Sequence, residues 1–495
     1  MLDLTQLLRI PHVDHLFDIS PDGSKLAFAW NKTGDWQIYE MELSPSPRFH
    51  FAIAQCPLSA ITSGPGGKFN PRYSPDGTRL AYALDMDGSE SYHLVVYDPS
   101  TKMHTDLTPN ISHALQPNFC WSPDGRQLAF LSDEQGHFSA YTISSSGGEP
   151  QLALNTGHPA WQVEWSPDGK HLAVSCEMHG QDYGIFIVEV CHPEQQRRVS
   201  TPMTEILRPY GAQNDMINAH EPKWSPDGKK LAFHSDKHGW FDIGVYDVAS
   251  NEIEWVTQSE GDSQTPIFIS NKFISNTKHQ LAYTQSKGVA NWIDILQALD
   301  THALRLRSAP LSARKYQIGK GIHSGIRFTP DMKRMVTTFS SPSQPADLWM
   351  IDVTSGESIQ LTNSLPEELS NAEFVIPEEI QYKGMDGVEI PALLFRPKQT
   401  PAPAVVMIHG GPNWHYSAEW NPIMAHFASR GFVVLAPNYR GSTGYGREWQ
   451  YAAQFDMGGV DTRDVAAGAQ YLLREGLASK VAVTGRSHGG YLTMT

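Results

Sequence analysis

The chain has 495 residues, 40% apolar and 18% charged, with 38 basic against 53 acidic side chains and a formal net charge of −15. At roughly 100–200 residues per domain this is too long for one ordinary core, and it is too apolar and too sparsely charged for a disordered chain or a charged coiled coil. The acidic balance lacks the electrostatic footprint of a phosphate-backbone binder, so nucleic acid is not an expected partner.

The start, Met1 to Ile10, carries Asp3, has no basic leader and no long apolar run, and does not read as a secretory signal. No stretch of 18 consecutive apolar residues marks a membrane helix, so neither a membrane nor an anchored form is expected and the default compartment is the cytoplasm. Cys56, Cys120, Cys176 and Cys191 form no C-x-x-C pair and read as incidental thiols. No metal site and no cofactor is expected.

From residue 13 onward a repeat dominates. Ser20-Pro21-Asp22-Gly23 recurs at Ser74, Ser122, Ser166 and Ser225, with degenerate copies at Ser275-Asn276-Thr277-Lys278 and Thr329-Pro330-Asp331-Met332. Proline presets φ at the first turn position, aspartate bonds back to the backbone, and glycine takes the left-handed position that closes a tight hairpin. Trp121, Trp165 and Trp224 precede their copies, and short apolar strands such as Leu128-Ala129-Phe130 follow. Further apolar strands begin near Trp36, Tyr92, Ser139, Gly184, Asp242, Trp292 and Asp347. Four strands per unit, seven times over, predict an all-β seven-bladed propeller across 13–365, after an N-terminal segment 1–12. No strand is left over at either end, so the ring is expected to close by packing alone. A propeller by itself is equally a binding module, and function has to be read from the remainder.

Residues 366–380 read as a linker. Beyond it, 381–495 alternates strands with helices. Strands are expected at Val388–Phe395, Val405–Ile408, Phe432–Leu435 and Lys480–Thr484, and helices at Glu448–Phe455 and Arg463–Arg474. This is the pattern of a mostly parallel α/β sheet. Gly485-Arg486-Ser487-His488-Gly489 follows the last strand and opens a helical stretch, the strand–turn–helix context of a nucleophile elbow on Ser487. His409-Gly410-Gly411-Pro412 follows an earlier strand. There the Gly411 N–H, with the N–H of His488, would hold an oxyanion. Glu367-Glu368 and Glu378-Glu379 read as solvated surface.

These motifs together, with Asn438-Tyr439-Arg440-Gly441-Ser442-Thr443-Gly444-Tyr445-Gly446, resemble the prolyl oligopeptidase family of serine peptidases, in its acylaminoacyl-peptidase and dipeptidyl-aminopeptidase-like branch. The resemblance covers the whole chain. It implies a propeller joined to an α/β-hydrolase domain and covering it, so that only short or unfolded peptides are admitted. Ser487 is then the nucleophile, Gly411 and His488 the oxyanion donors, and His409, Gly410, Tyr439, Gly485 and Gly489 the supporting loops. The Asn438–Gly446 loop is expected near the active-site mouth, and Leu2–Ile10 as a short helix on the hydrolase. His488 departs from the family pattern, where many relatives have tyrosine, which puts the pocket lining in doubt.

In this hydrolase fold the triad runs Ser, Asp, His. The eight residues after Ser487, HGGYLTMT, contain no aspartate and only the elbow histidine. The triad Asp and His are therefore expected to be missing, 381–495 to be the N-terminal half of a truncated hydrolase domain, and this chain to be inactive alone. A non-catalytic propeller binding protein and an esterase-type hydrolase remain as alternatives, and a homo-oligomer stays open.

Overall fold

The computed structural model describes residues 2–43, 57–179, 182–190, 203–207, 218–269, 279–299 and 313–495. Seven four-stranded antiparallel sheets, each built from consecutive strands, span Val13–Ala60, Gly67–Asp106, Leu115–Leu154, Ala160–Leu207, Ala219–Trp255, Ser263–Tyr316 and Ile322–Gln360. The third strand of each blade starts within three residues of the position expected for it. The first and last blades share no strand. They close the ring through a core in which Phe17, Leu26 and Phe28 meet Val336 and Leu348.

The repeated turn has the expected chemistry and one further use. In each copy the serine hydroxyl donates to the aspartate two residues on, as from Ser122 to Asp124 at 2.7 Å, and the glycine N–H returns to the serine carbonyl. Gly125 takes φ 68°. Each turn glycine also packs on the proline of the preceding blade, so a Cβ on Gly77 would lie 3.4 Å from Pro21 and one on Gly23 would lie 2.8 Å from Pro330. Among the described residues these contacts link the turns of blades one to five in series and join the seventh blade to the first. The degenerate copy at 275–278 lies outside the described residues, as do Cys56 and Cys191. Cys120 and Cys176 are free thiols.

A second repeated anchor follows the fourth strands. The hydroxyls of Thr62, Thr108, Thr257 and Thr362 accept N–H groups from the third strands at 2.8–2.9 Å. They satisfy backbone donors at the point where pairing ends.

The second sheet has five strands: β1 (Glu378–Lys383), β2 (Glu389–Phe395), β3 (Ala402–Ile408), β4 (Val433–Pro437) and β5 (Ala478–Gly485), in spatial order β1-β2-β4-β3-β5. The pairs β3/β4 and β3/β5 are parallel, while β1/β2 and β2/β4 are antiparallel. β1 begins inside the stretch read as a linker. The paired acids there are on the surface, Glu378 bound to Arg396 at 2.9 Å and Glu379 3.3 Å from Lys320.

Two of the helices cover opposite sides of this sheet. α1 (Leu4–Leu8) precedes the propeller. α2 (Pro422–Ser429) starts with the Asn421 side chain accepting from the Ile423 and Met424 amides, and packs on one face with Val405, Met407 and Val434. α3 (Arg447–Tyr451) is a short turn, and α4 (Val460–Arg474) covers the other face with Val465, Ala467 and Leu472.

α1 reaches back across the molecule. Leu7 and Ile10 are buried with Leu369, Ala425, Phe374 and Trp420, and the Leu2 N–H donates to Ser429 Oγ at 3.2 Å. The N-terminal segment is thus a short helix docked on the second domain. No helix among the described residues is long and apolar enough to cross a membrane.

Candidate active site

β5 enters from the sheet, the chain turns at Arg486 and Ser487, and α5 (His488–Met494) leaves. Ser487 has φ 56° and ψ −124°, a conformation that costs a non-glycine residue of order 1–3 kcal/mol. Tight packing sustains it. A Cβ on Gly485 would run into the Gly489 backbone, and one on Gly489 would meet the Ile408 carbonyl and lie 2.6 Å from that of His409. Both flanking glycines are therefore required by close approach, Gly485 to Gly489 across the turn and Gly489 to the end of β3 and His409.

The His409–Pro412 loop lies against the serine. A Cβ on Gly410 would be 3.3 Å from Ser487 Cβ and 3.1 Å from the Arg486 carbonyl. Gly411 has φ 113°. Among the described residues no group accepts from the Gly411 or His488 amide, and no side chain hydrogen-bonds the Ser487 hydroxyl. The elbow therefore presents an unengaged hydroxyl beside two unspent N–H donors, the parts needed to stabilise a tetrahedral oxyanion.

The supporting residues are anchored beneath. His409 is 2% exposed, with Nε2 2.8 Å from Ser442 Oγ and Nδ1 2.7 Å from the Gly410 carbonyl. Ser442 Oγ in turn donates to the Tyr439 carbonyl at 2.6 Å. Burial, reinforced by His415 and His488, pulls the His409 pKa down to about 3, and the ring is neutral. Tyr439 is fully buried, stacks on His409 at 4.3 Å and donates to its carbonyl at 2.9 Å. It braces the loop from below and does not line the mouth. Arg440 ties the same segment to α4 and to the β1–β2 turn, reaching Asp464 at 2.6 Å and Asp386 at 2.6 Å.

The His488 side chain points inward. Its Nε2 lies 3.0 Å from Asp461 Oδ2, with the histidine 8% exposed and the aspartate fully buried. Asp461 also accepts from the Gly458 amide at 3.2 Å and the Thr462 amide at 2.8 Å. His488 is therefore an anchor under the elbow. Sequence reasoning missed Asp461, which lies 27 positions upstream with no spacing to announce it. His415 is likewise engaged, with Nδ1 2.9 Å from Thr443 Oγ1, and burial lowers its pKa to about 4.

The propeller meets this region through its fifth blade. Gly239 O accepts from the Arg447 amide at 2.6 Å, and Asn218 Nδ2 donates to Tyr451 Oη at 3.1 Å. Arg447 lies 3.9 Å from Asp236.

Residues 414–495 match the model of the prolyl oligopeptidase family, and residues 46–205 match that of the TolB beta propeller domain. An uncharacterised peptidase, YuxL, of Bacillus subtilis is 26% identical over 516 aligned residues, covering 86% of this chain and 77% of the relative. Acylamino-acid-releasing enzyme 1 of Oryza sativa is 26% identical, covering 82% of this chain but only 44% of its own length. A solved puromycin-hydrolyzing peptidase of Mycobacterium tuberculosis superposes with a TM-score of 0.77 at 19% identity, over 99% of this chain and 76% of that one. Propeller, hydrolase sheet and elbow agree with these matches, and the chain is similar to the prolyl oligopeptidase family over residues 414–495 and shares the fold of the puromycin-hydrolyzing peptidase along its length.

Proposed function

We propose that the protein is a serine peptidase that cleaves short peptides through an acyl-enzyme on Ser487. The observation that carries this reading is the strained elbow, with a free hydroxyl beside the unspent Gly411 and His488 amides. A base takes the Ser487 proton as Oγ attacks the peptide carbonyl carbon, and the oxyanion accepts from the two amides. The amine leaves with the proton, and water then releases the acid. The names of the relatives, which include a peptidase and acylamino-acid-releasing enzymes, support peptide substrates.

The base is the unassigned part. His409, His415 and His488 neighbour the serine but are engaged by Ser442, Thr443 and Asp461. The reaction therefore draws on a base other than these three side chains. The propeller restricts access to short peptides. The setting is the cytoplasm, with no nucleic acid, membrane or metal involved.

The test compares peptide amides and simple esters as substrates of the protein purified from its own source. Amide hydrolysis is expected, with Ser487→Ala lowering kcat on the order of 10⁶-fold. Undiminished hydrolysis by the variant would sink the serine mechanism. Ester hydrolysis without amide hydrolysis would favour an esterase.

A further inference from the structure

The second domain also touches the propeller at the seam around its seventh blade. The Trp420 amide donates to Ser340 Oγ at 3.0 Å, and the Ala418 amide donates to the Val289 carbonyl of the sixth blade at 2.7 Å. Glu419 lies between these two contacts. It lines a cavity of about 260 Å³, walled by His12 and Trp36 where the ring begins and by Ile322, Thr338 and Ala346 on the seventh blade.

This cavity offers acceptors and lacks a cation. Glu419 is half-buried, and among the described residues no hydrogen bond or ion pair engages its carboxylate. No charged side chain acts on it either, and burial alone raises its pKa above the ordinary 4.5. Hydroxyl protons in the wall are spent within the fold. Thr338 Oγ1 donates to the Ser324 carbonyl at 2.8 Å and Ser340 Oγ to that of Gln344 at 3.1 Å, so toward any other partner each offers only lone pairs. His12 is bonded to the Ile10 backbone, and burial lowers its pKa, so the ring is neutral. Asp14, the other acid of the wall, is engaged: its Oδ1 accepts from the Leu16 amide at 2.7 Å and lies 3.7 Å from His15 Nδ1.

An enclosed carboxylate without a donor is costly, and a ligand bringing N–H groups and a positive charge offsets that cost. A metal ion would need several oxygen ligands. One free carboxylate beside the apolar Trp36, Ile322 and Ala346 instead suits a cation that carries carbon. We propose that this seam cavity binds a small primary alkylammonium, its N–H groups on the Glu419 carboxylate and its carbon chain against Trp36, Ile322 and Ala346. The volume suits a ligand below drug size, whose sites run roughly 300–1,000 Å³. The cavity shares no residue with the Ser487 elbow or the Gly411 loop, and the proposal does not rest on the peptidase reading.

The test is calorimetric titration of the chain with n-butylamine, alaninamide, tetramethylammonium and n-butanol. The first two represent the two sources of a primary ammonium, a free amine and the amino terminus of a peptide, and the tighter of them identifies which the cavity takes. Tetramethylammonium keeps the charge without N–H donors, and n-butanol keeps the chain without the charge. Each is expected to bind at least tenfold more weakly than n-butylamine. Glu419→Gln is expected to weaken both amines at least tenfold, and Ala346→Leu, which fills the cavity and leaves the carboxylate, to do the same. Ser487→Ala should leave binding unchanged. Glu419→Gln should not lower the Tm of the free protein, because it removes an unpaired charge, and a lower Tm would overturn the proposal by showing that the carboxylate is already paired. The proposal is also overturned if neither amine binds, if n-butanol binds as tightly as n-butylamine, or if either cavity variant binds the amines as wild type does.

Discussion

Ser487 illustrates how a strained residue is supported at close quarters. Its left-handed φ persists because Gly485 and Gly489 let three backbone segments approach where any Cβ would collide. That requirement is why the turn was legible in the sequence: glycine at both flanks of a serine, after an apolar strand, states the backbone geometry. Asp461 was not legible, because a hydrogen bond between distant segments leaves no local pattern. Its removal is informative. Asp461→Ala leaves Nε2 of His488 without its acceptor in a buried site, and is expected to cost about 1–3 kcal/mol in urea unfolding. An unchanged midpoint would mean that the pair does not anchor the elbow.

His323 gives a prediction on pH. It is 1% exposed, accepts from the Ile318 amide at Nε2, and burial lowers its pKa to about 4 against an ordinary 6.5. Because the folded state resists protonation, the stability it contributes is complete above pH 6.5 and is lost as pH falls from 6.5 towards 4. The advantage of wild type over His323→Gln should therefore shrink by about 2 kcal/mol between pH 6.5 and pH 5. A constant difference over that range would contradict the assignment.

At the scale of elements, the turn repeat does two jobs, and only one is local. The left-handed glycine was readable because a tight hairpin needs it. Its contact with the preceding blade's proline was not, since 46–61 positions or the whole ring separate the partners. The two jobs separate experimentally. Gly169→Ala meets Pro123 only at 3.8 Å, and is expected to cost about 1–2 kcal/mol from the left-handed φ alone. Gly23→Ala adds a collision with Pro330 at the ring closure, and should lower the urea midpoint further. Equal costs would mean that these contacts contribute nothing.

Two elements of the second domain escaped the reading. β1, Glu-Glu-Ile-Gln-Tyr-Lys, is a polar edge strand that buries little beyond Tyr382, so it reads as linker. α2 was announced only by its Asn421 cap and Pro422.

At the scale of the whole molecule, the seven-fold repeat and the change of character after the propeller carried the fold class, because both are periodic or compositional. The docking of α1 is a contact over 427 positions that no local pattern announces. Leu7 is 1% exposed within the cluster that joins α1, the 365–374 segment and α2. Leu7→Ala is expected to cost about 2–5 kcal/mol, and to quicken proteolytic cleavage between residues 366 and 377. Cleavage at the wild-type rate would mean that α1 does not strap the domains together.

The central claim is that Ser487 is the nucleophile. It is tested most directly by treating a preparation that hydrolyses peptides with a fluorophosphonate and mapping the adduct by mass spectrometry. The account predicts one adduct, on Ser487, formed in proportion to the activity lost. Loss of activity with Ser487 unmodified, or with the adduct on another residue, would contradict it.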